Sequence, residues 1–145
     1  MERDIRFRGK RISNGEWLYG DLMQDDVNGC CIYPLKNKGL KQVLCCTIGQ
    51  FTGLYDKNGK EIYEGDILRG DEYPFNCDGV DNYFAEIVWA DNVCGFYRIT
   101  HKKPNSTVRG ISHGNWEQLD EDDIKSFEVI GNIHDNPELL KDGRD

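Results

Sequence analysis

The sequence has no apolar run near the roughly 20 residues that a membrane-spanning helix needs. It holds two methionines and four prolines, and leucine is sparse beside isoleucine, valine and the aromatics taken together. That balance disfavours long helices and leaves short strands as the building material. Basic charge is short as well. Eighteen lysines and arginines stand against 26 aspartates and glutamates, a net charge of −8. A surface of that sign opposes nucleic-acid and anionic-membrane binding in bulk. Also missing are a nucleophile elbow, a phosphate loop and a metal-ligand spacing. Met1-Glu2-Arg3-Asp4 opens into a charged strand with no apolar signal region, which predicts a cytoplasmic protein with reduced thiols.

What is present is turn chemistry. Sixteen glycines punctuate 145 residues, enough for one domain or two small β units sharing a core. Residues 49–67 read as a strand, a tight turn at Asp56-Lys57-Asn58-Gly59, a second extended segment, and a Gly65-Asp66 step into a third. Asn-Gly between apolar runs signals a hairpin, with positive φ expected at both positions. The glycines Gly53, Gly59 and Gly65, with Asn58 and Asp66, are therefore read as structural.

The first strand alternates. Ile5, Phe7 and Gly9 point one way, and Asp4, Arg6, Arg8 and Lys10 the other. Asn14-Gly15 turns the chain into a second strand, Glu16–Leu22. The stretch Asn14–Leu22 weakly echoes Asn58–Ile67, which reads either as duplication of a small β unit or as chance recurrence. Gly29–Tyr33 and Val43–Thr47 each carry a Cys-Cys pair and are expected as strands around a lysine-rich turn. Asp66–Arg69 follows as a strand, then residues 70–82 as a long loop. Tyr83–Ala90 and Gly95–Thr100 pair across Asp91-Asn92, with Ile87 and Trp89 on one face and Glu86 and Val88 on the other. Residues 101–115 are polar and loop-like, and Glu117–Asp123 is acidic with room for one helical turn. Ser126–Ile133, containing Gly131, is a late strand. Asn136 as a cap and Pro137 at the first helical position predict a short C-terminal helix.

Five sets of residues are candidates for chemistry or binding. Cys30-Cys31 and Cys45-Cys46 form a CC-x13-CC pattern. Neighbouring residues on a strand face opposite ways, so a vicinal pair suits a metal poorly. Free thiols are the expectation, and no metal or other cofactor is assigned. His101, His113 and His134 fall in or beside loops, where solvated side chains are expected. Asp120-Glu121-Asp122-Asp123 is read as solvated or as half of an electrostatic contact. The other half is the N-terminal face: residues 1–11 hold five basic and two acidic side chains, a local charge of +3. This contrast supports head-to-tail self-association. It also supports a nucleic-acid contact, with Arg6, Arg8 and Lys10 on phosphates and Trp17 or Tyr19 as stacking platforms. Gln50, Tyr55 and Tyr63 around the central turn form a second candidate surface.

The segments Ile5–Lys10, Gly15–Asp21, Ile48–Leu54, Asp56–Ile67, Phe127–Ile133 and Asn136–Leu140, in this order, resemble the YopX-like proteins of phages and prophages. The likeness runs from end to end, though the Cys-Cys pairs and the loop at 70–82 depart from the pattern. It implies a mainly β fold, an N-terminal β-hairpin unit packed on an SH3-like barrel with a short C-terminal helix. The chain is then one YopX-like domain, 1–145, with sub-units 1–64 and 65–145. The resemblance brings no established activity. It implies a phage- or prophage-encoded protein in a bacterial cytoplasm. The expected role is a non-enzymatic binding or assembly module that self-associates or meets a host or phage protein. A nucleic-acid-binding regulator and a small enzyme on a nucleotide-like ligand are the alternatives.

Overall fold

The computed structural model describes residues 3–34, 39–103, 106 and 115–140. The chain divides into two compact units, Met1–Gly53 and Leu54–Asp145, and is mainly β in both.

In the N-terminal unit β1 (Phe7–Lys10), β2 (Trp17–Asp25), β3 (Gly29–Pro34), β4 (Lys41–Gln42) and β5 (Gly49–Tyr55) make an antiparallel sheet in the order β4-β3-β2-β1-β5. β5 runs on through the unit boundary. The turn after β1 and the segment after β4 then meet. Arg11 bridges Val43, the Ile12 N–H donates to the Gln42 carbonyl (3.1 Å), and the Leu44 N–H donates to that of Lys10 (2.9 Å). On its other side, the Val43 N–H bonds the Cys30 carbonyl at 2.9 Å. Segment 41–44 is thus held from both flanks. One sheet face forms a small core: Cys30, Ile32 and Val43 are buried, with Phe7, Leu18, Leu22 and Ile48 partly so. Gly9 and Gly20 on that face admit no side chain, because a Cβ would run into Val43 and the Tyr33 carbonyl respectively.

The expected strand at Val43–Thr47 is instead a single bridge followed by a 3-10 turn, Cys45–Thr47. Thr47 explains the departure. Its hydroxyl donates to the Leu44 carbonyl at 2.6 Å and accepts the Lys10 N–H at 2.9 Å, local bonds that compete with a ladder. The thiol expectation is corrected here too. Cys30 and Cys45, with Cα atoms 5.5 Å apart, are joined by a disulfide, while Cys31, Cys46, Cys77 and Cys94 are free. On β3, alternation turns Cys30 toward the core and Cys31 to the other side, and the 3-10 turn brings Cys45 to Cys30.

The C-terminal unit contains β6 (Glu61–Tyr63), β7 (Asp66–Gly70), a two-stranded ribbon of β8 (Asn76–Cys77) and β9 (Val80–Asp81), β10 (Tyr83–Ala90), β11 (Gly95–Lys102), β12 (Asn115–Gln118), α1 (Glu121–Ile124) and β13 (Phe127–Asn132). Its main sheet is antiparallel in the order β12-β11-β10-β7-β13, and no pairing among the described residues joins β12 to β13. The ribbon lies inside the predicted loop, where Tyr73–Pro74 is a cis peptide. β12 starts at the last residue of the stretch read as loop and runs into the acidic one. The C-terminal helix is a 3-10 turn, Pro137–Leu140. Ile62, Leu68, Phe75, Tyr83, Ala85, Ile87, Ile124, Phe127 and Val129 are the core. Ile87 is fully buried, whereas Trp89, expected on the same face, stays 40% exposed near the hairpin tip against the Phe96 ring.

Arg98 is the polar intruder in this core. Its guanidinium lies 5.5 Å from the Phe75 ring and 5.1 Å from the Phe127 ring, and its Nε donates to Asp123 on α1 at 2.8 Å. Nη1 is buried with no hydrogen-bond partner. A buried ion pair gains little over an apolar replacement, but removal of one partner strands the other. Arg98→Met is expected to leave stability within about 1 kcal/mol of wild type. Asp123→Ala, whose carboxylate is partly solvated, is expected to cost about 2 kcal/mol. Urea unfolding of the two variants checks the order, and equal losses would refute it.

Candidate functional site

Arg6, just before β1, and Arg8 and Lys10 on it project to the outer face of the N-terminal sheet, and aromatic rings meet them. Strand register places Lys10 opposite Trp17 and Arg8 opposite Tyr19. The Arg8 guanidinium lies 4.8 Å from the centre of the Trp17 ring, and Lys10 Nζ lies 5.6 Å from it. The Arg6 guanidinium sits 4.5 Å over Phe51 and pairs with Asp4 Oδ2 at 3.0 Å. These are cation–π distances. Arg8 is only 5% exposed. Alternation placed these cations on one face, but their charge is directed at rings and at Asp4 rather than at open solvent.

The accessible part of this face lies further across the sheet. Asp21 pairs with Tyr33, and Met23 with Cys31, so Tyr19, Asp21, Met23 and Tyr33 share the outer side. Tyr19, Met23 and Tyr33 are 39%, 38% and 51% exposed. Tyr33 and Met23 were not singled out from sequence. The signal that could have found them is the period-two pattern of Gly29–Pro34, which buries Cys30 and Ile32 and turns Tyr33 outward.

Gln50 stands opposite Phe7, on the side away from the β1 cations. In the C-terminal unit Tyr55 is exposed, whereas Tyr63 is buried with its hydroxyl on Glu61 Oε1 at 3.0 Å. Tyr63 is therefore a wall of the unit and offers no contact surface.

The central turn is built around Asp56, which the sequence reading placed in the turn without giving it a role. Oδ1 of this buried carboxylate accepts the N–H groups of Asn58 (2.8 Å) and Lys60 (2.9 Å), and Oδ2 accepts that of Val129 (2.9 Å). Gly59 alone in the turn has positive φ, at 79°. The expected positive φ at Asn58 is corrected: an ordinary turn closes with one left-handed glycine, and the Asn58 amide reaches Glu128 instead (3.1 Å). Gly53 also has positive φ. At the next joint, Gly65 (φ 93°) donates its N–H to Ile87 and accepts from Ile133, while buried Asp66 accepts the Tyr63 N–H at 2.7 Å. A bulge lies between Val129 and Gly131, and a Cβ at Gly131 would strike the Asn136 amide, whose residue precedes Pro137. These side chains fix backbone.

The titratable groups do not converge. His101 Nε2 lies 3.0 Å from Glu86 Oε1, the His134 N–H bonds the Asn132 side chain, and His113 lies outside the described residues. Among the described residues no cluster of three or more His, Cys, Asp or Glu side chains is arranged to hold a metal. Asp25, in the β2–β3 turn, is held below the usual carboxylate range by the Asn28 backbone and side-chain amides. That shift belongs to a turn. The Asp120–Asp123 run is a capped first helical turn, with Asp120 accepting the Asp122 N–H.

Comparison with known proteins places the chain among relatives. The family described as "YopX protein" matches residues 6–141. Protein EF1440 from Enterococcus faecalis, known from a crystal structure, is 26% identical with a TM-score of 0.55, over 95% of this chain and 99% of that one. No curated protein matches.

Proposed function

The chain belongs to the YopX protein family, and from that premise we propose that it is a non-enzymatic binding module that assembles with copies of itself. The observation that carries this reading is the outer face of the N-terminal sheet. Tyr19, Met23 and Tyr33 are exposed together there, beside the Trp17–Lys10 stack. Tyrosine and methionine are enriched where protein surfaces meet, because they bring large contact area at low ordering cost. The role of the β1 cations is accordingly indirect: they stiffen the platform. This departs from a head-to-tail contact between β1 and the acidic run, and it weakens the nucleic-acid alternative, since Arg8 is covered.

A phage or prophage origin and a bacterial cytoplasm complete the reading, on the strength of the family likeness. The finer fold assignment is one domain spanning 1–145, in which the chain after Gly65 is an SH3-like barrel. Connectivity supports it. The main strands follow in the order β7, β10, β11, β12 and β13, a long connection carrying the β8–β9 ribbon separates the first two, and a helical turn separates the last two. The fifth then returns beside the first.

Light scattering over a concentration series tests the assembly. The wild type is expected to exceed the mass of one chain, and Met23→Asp with Tyr33→Asp is expected to return it to a monomer with an unchanged circular dichroism spectrum. A wild type that stays monomeric at every concentration refutes the proposal.

A further inference from the structure

An open groove of about 380 Å³ lies in the N-terminal unit between the turn after β1 and the start of β4, lined by Arg11, Ile12, Ser13, Leu40, Lys41 and Gln42. Two of these six residues are cations and none is an acid. In a chain with net charge −8 this is a local reversal of sign. Among the described residues neither the Arg11 nor the Lys41 side chain has an ion-pair partner, and Ser13 makes no hydrogen bond. The Gln42 amide is already engaged on the Asn28 carbonyl at 2.9 Å. Glu16, the acid nearest in sequence, is held by the Asn14 side chain at 3.3 Å. The groove's backbone is not loose, because Arg11 bridges Val43 and Ile12 bonds Gln42. Two cations with no ion-pair partner among the described residues are therefore mounted on a fixed frame.

We infer that this groove binds a small phosphate-bearing ligand of nucleotide size. A guanidinium fork and an ammonium group suit a phosphate, the one by paired hydrogen bonds and the other as a point charge. Ser13 adds a hydroxyl and a backbone N–H. Ile12 and Leu40, 56% and 39% exposed, provide an apolar rim for the organic part. The volume falls at the lower end of the ~300–1,000 Å³ typical of ligand sites. Charge decides against a long polymer. An extended nucleic acid would leave the groove and run over a surface of its own sign, whereas a mononucleotide stays inside. The groove shares none of its six lining residues with Tyr19, Met23 and Tyr33, so it stands or falls independently of self-assembly.

Amide chemical shifts of the labelled full chain, titrated with adenosine monophosphate, test the inference. Shifts are expected for residues 11–15 and 40–43. Adenosine without phosphate is expected to bind at least tenfold more weakly, and added salt to weaken the nucleotide. Inorganic phosphate is expected to move the same amides at higher concentration. Replacing both cations, Arg11→Gln with Lys41→Gln, should weaken the nucleotide at least about tenfold through loss of charged hydrogen bonds. The exchange Arg11→Lys with Lys41→Arg should retain binding. Absence of shifts at millimolar nucleotide, or equal binding of adenosine, overturns the inference on wild-type protein alone. Tighter binding of an oligothymidylate or of a polyglutamate peptide at physiological salt overturns the small-phosphate assignment.

Discussion

Asp56→Ala is expected to lower the unfolding free energy by about 3–5 kcal/mol, measured by urea denaturation. The carboxylate is 6% exposed and accepts three backbone N–H groups, two within its own turn and one, Val129, from β13. Hydrogen bonds to a charged acceptor contribute about 1.5–3 kcal/mol each, and a buried donor left unmatched adds its desolvation cost. The Val129 N–H is such a donor, because its bond to Asp56 is buried. Asp56→Asn keeps one acceptor oxygen, so it should lose roughly half as much. A loss below about 1 kcal/mol for the alanine variant would show that the turn holds without its carboxylate.

Reduction of the Cys30–Cys45 bond is expected to destabilise the N-terminal unit by about 3 kcal/mol, the chain-entropy value for a loop near 15 residues. The two cysteines are separated by 15 positions. The unit's buried core is small, essentially Cys30, Ile32 and Val43 with partly covered neighbours, so a cross-link weighs heavily there. Trp17 is its only tryptophan, which gives a selective probe once Trp89 and Trp116 are changed to Phe. Thermal unfolding followed by that fluorescence should shift to lower temperature with dithiothreitol, while Cys30→Ser with Cys45→Ser should show no further response to the reductant. Identical transitions with and without dithiothreitol would refute the claim. Any surroundings reducing enough to open this bond would lower the unit's stability by the same amount.

Much of the fold was legible because alternation and turn residues are local properties. The hairpin of β10 and β11, the strand at β7 with the Gly65-Asp66 step into it, and the late strand β13 could be read directly from residue order. The departures have local causes as well. Thr47 captures backbone groups on both sides and turns Val43–Thr47 away from a strand. β12 follows a polar stretch and exists by pairing with β11, information absent from its own four residues. The candidate site was less legible. The pattern put Arg6, Arg8 and Lys10 on one face, but only register and cross-strand neighbours reveal that Trp17 and Phe51 cover them. The groove cations Arg11 and Lys41 are 30 positions apart in the chain and come together only through the Arg11–Val43 bridge.

That bridge also limits how the N-terminal unit can be recognised. A partner that adds a strand to a sheet needs a row of unmatched main-chain groups. Segment 41–44 offers no such row, since Val43 bonds β3 on one flank and Gln42 and Leu44 meet Ile12 and Lys10 on the other. Whatever approaches this side must be read by side chains, and its selectivity is then open to single substitutions that leave the backbone undisturbed.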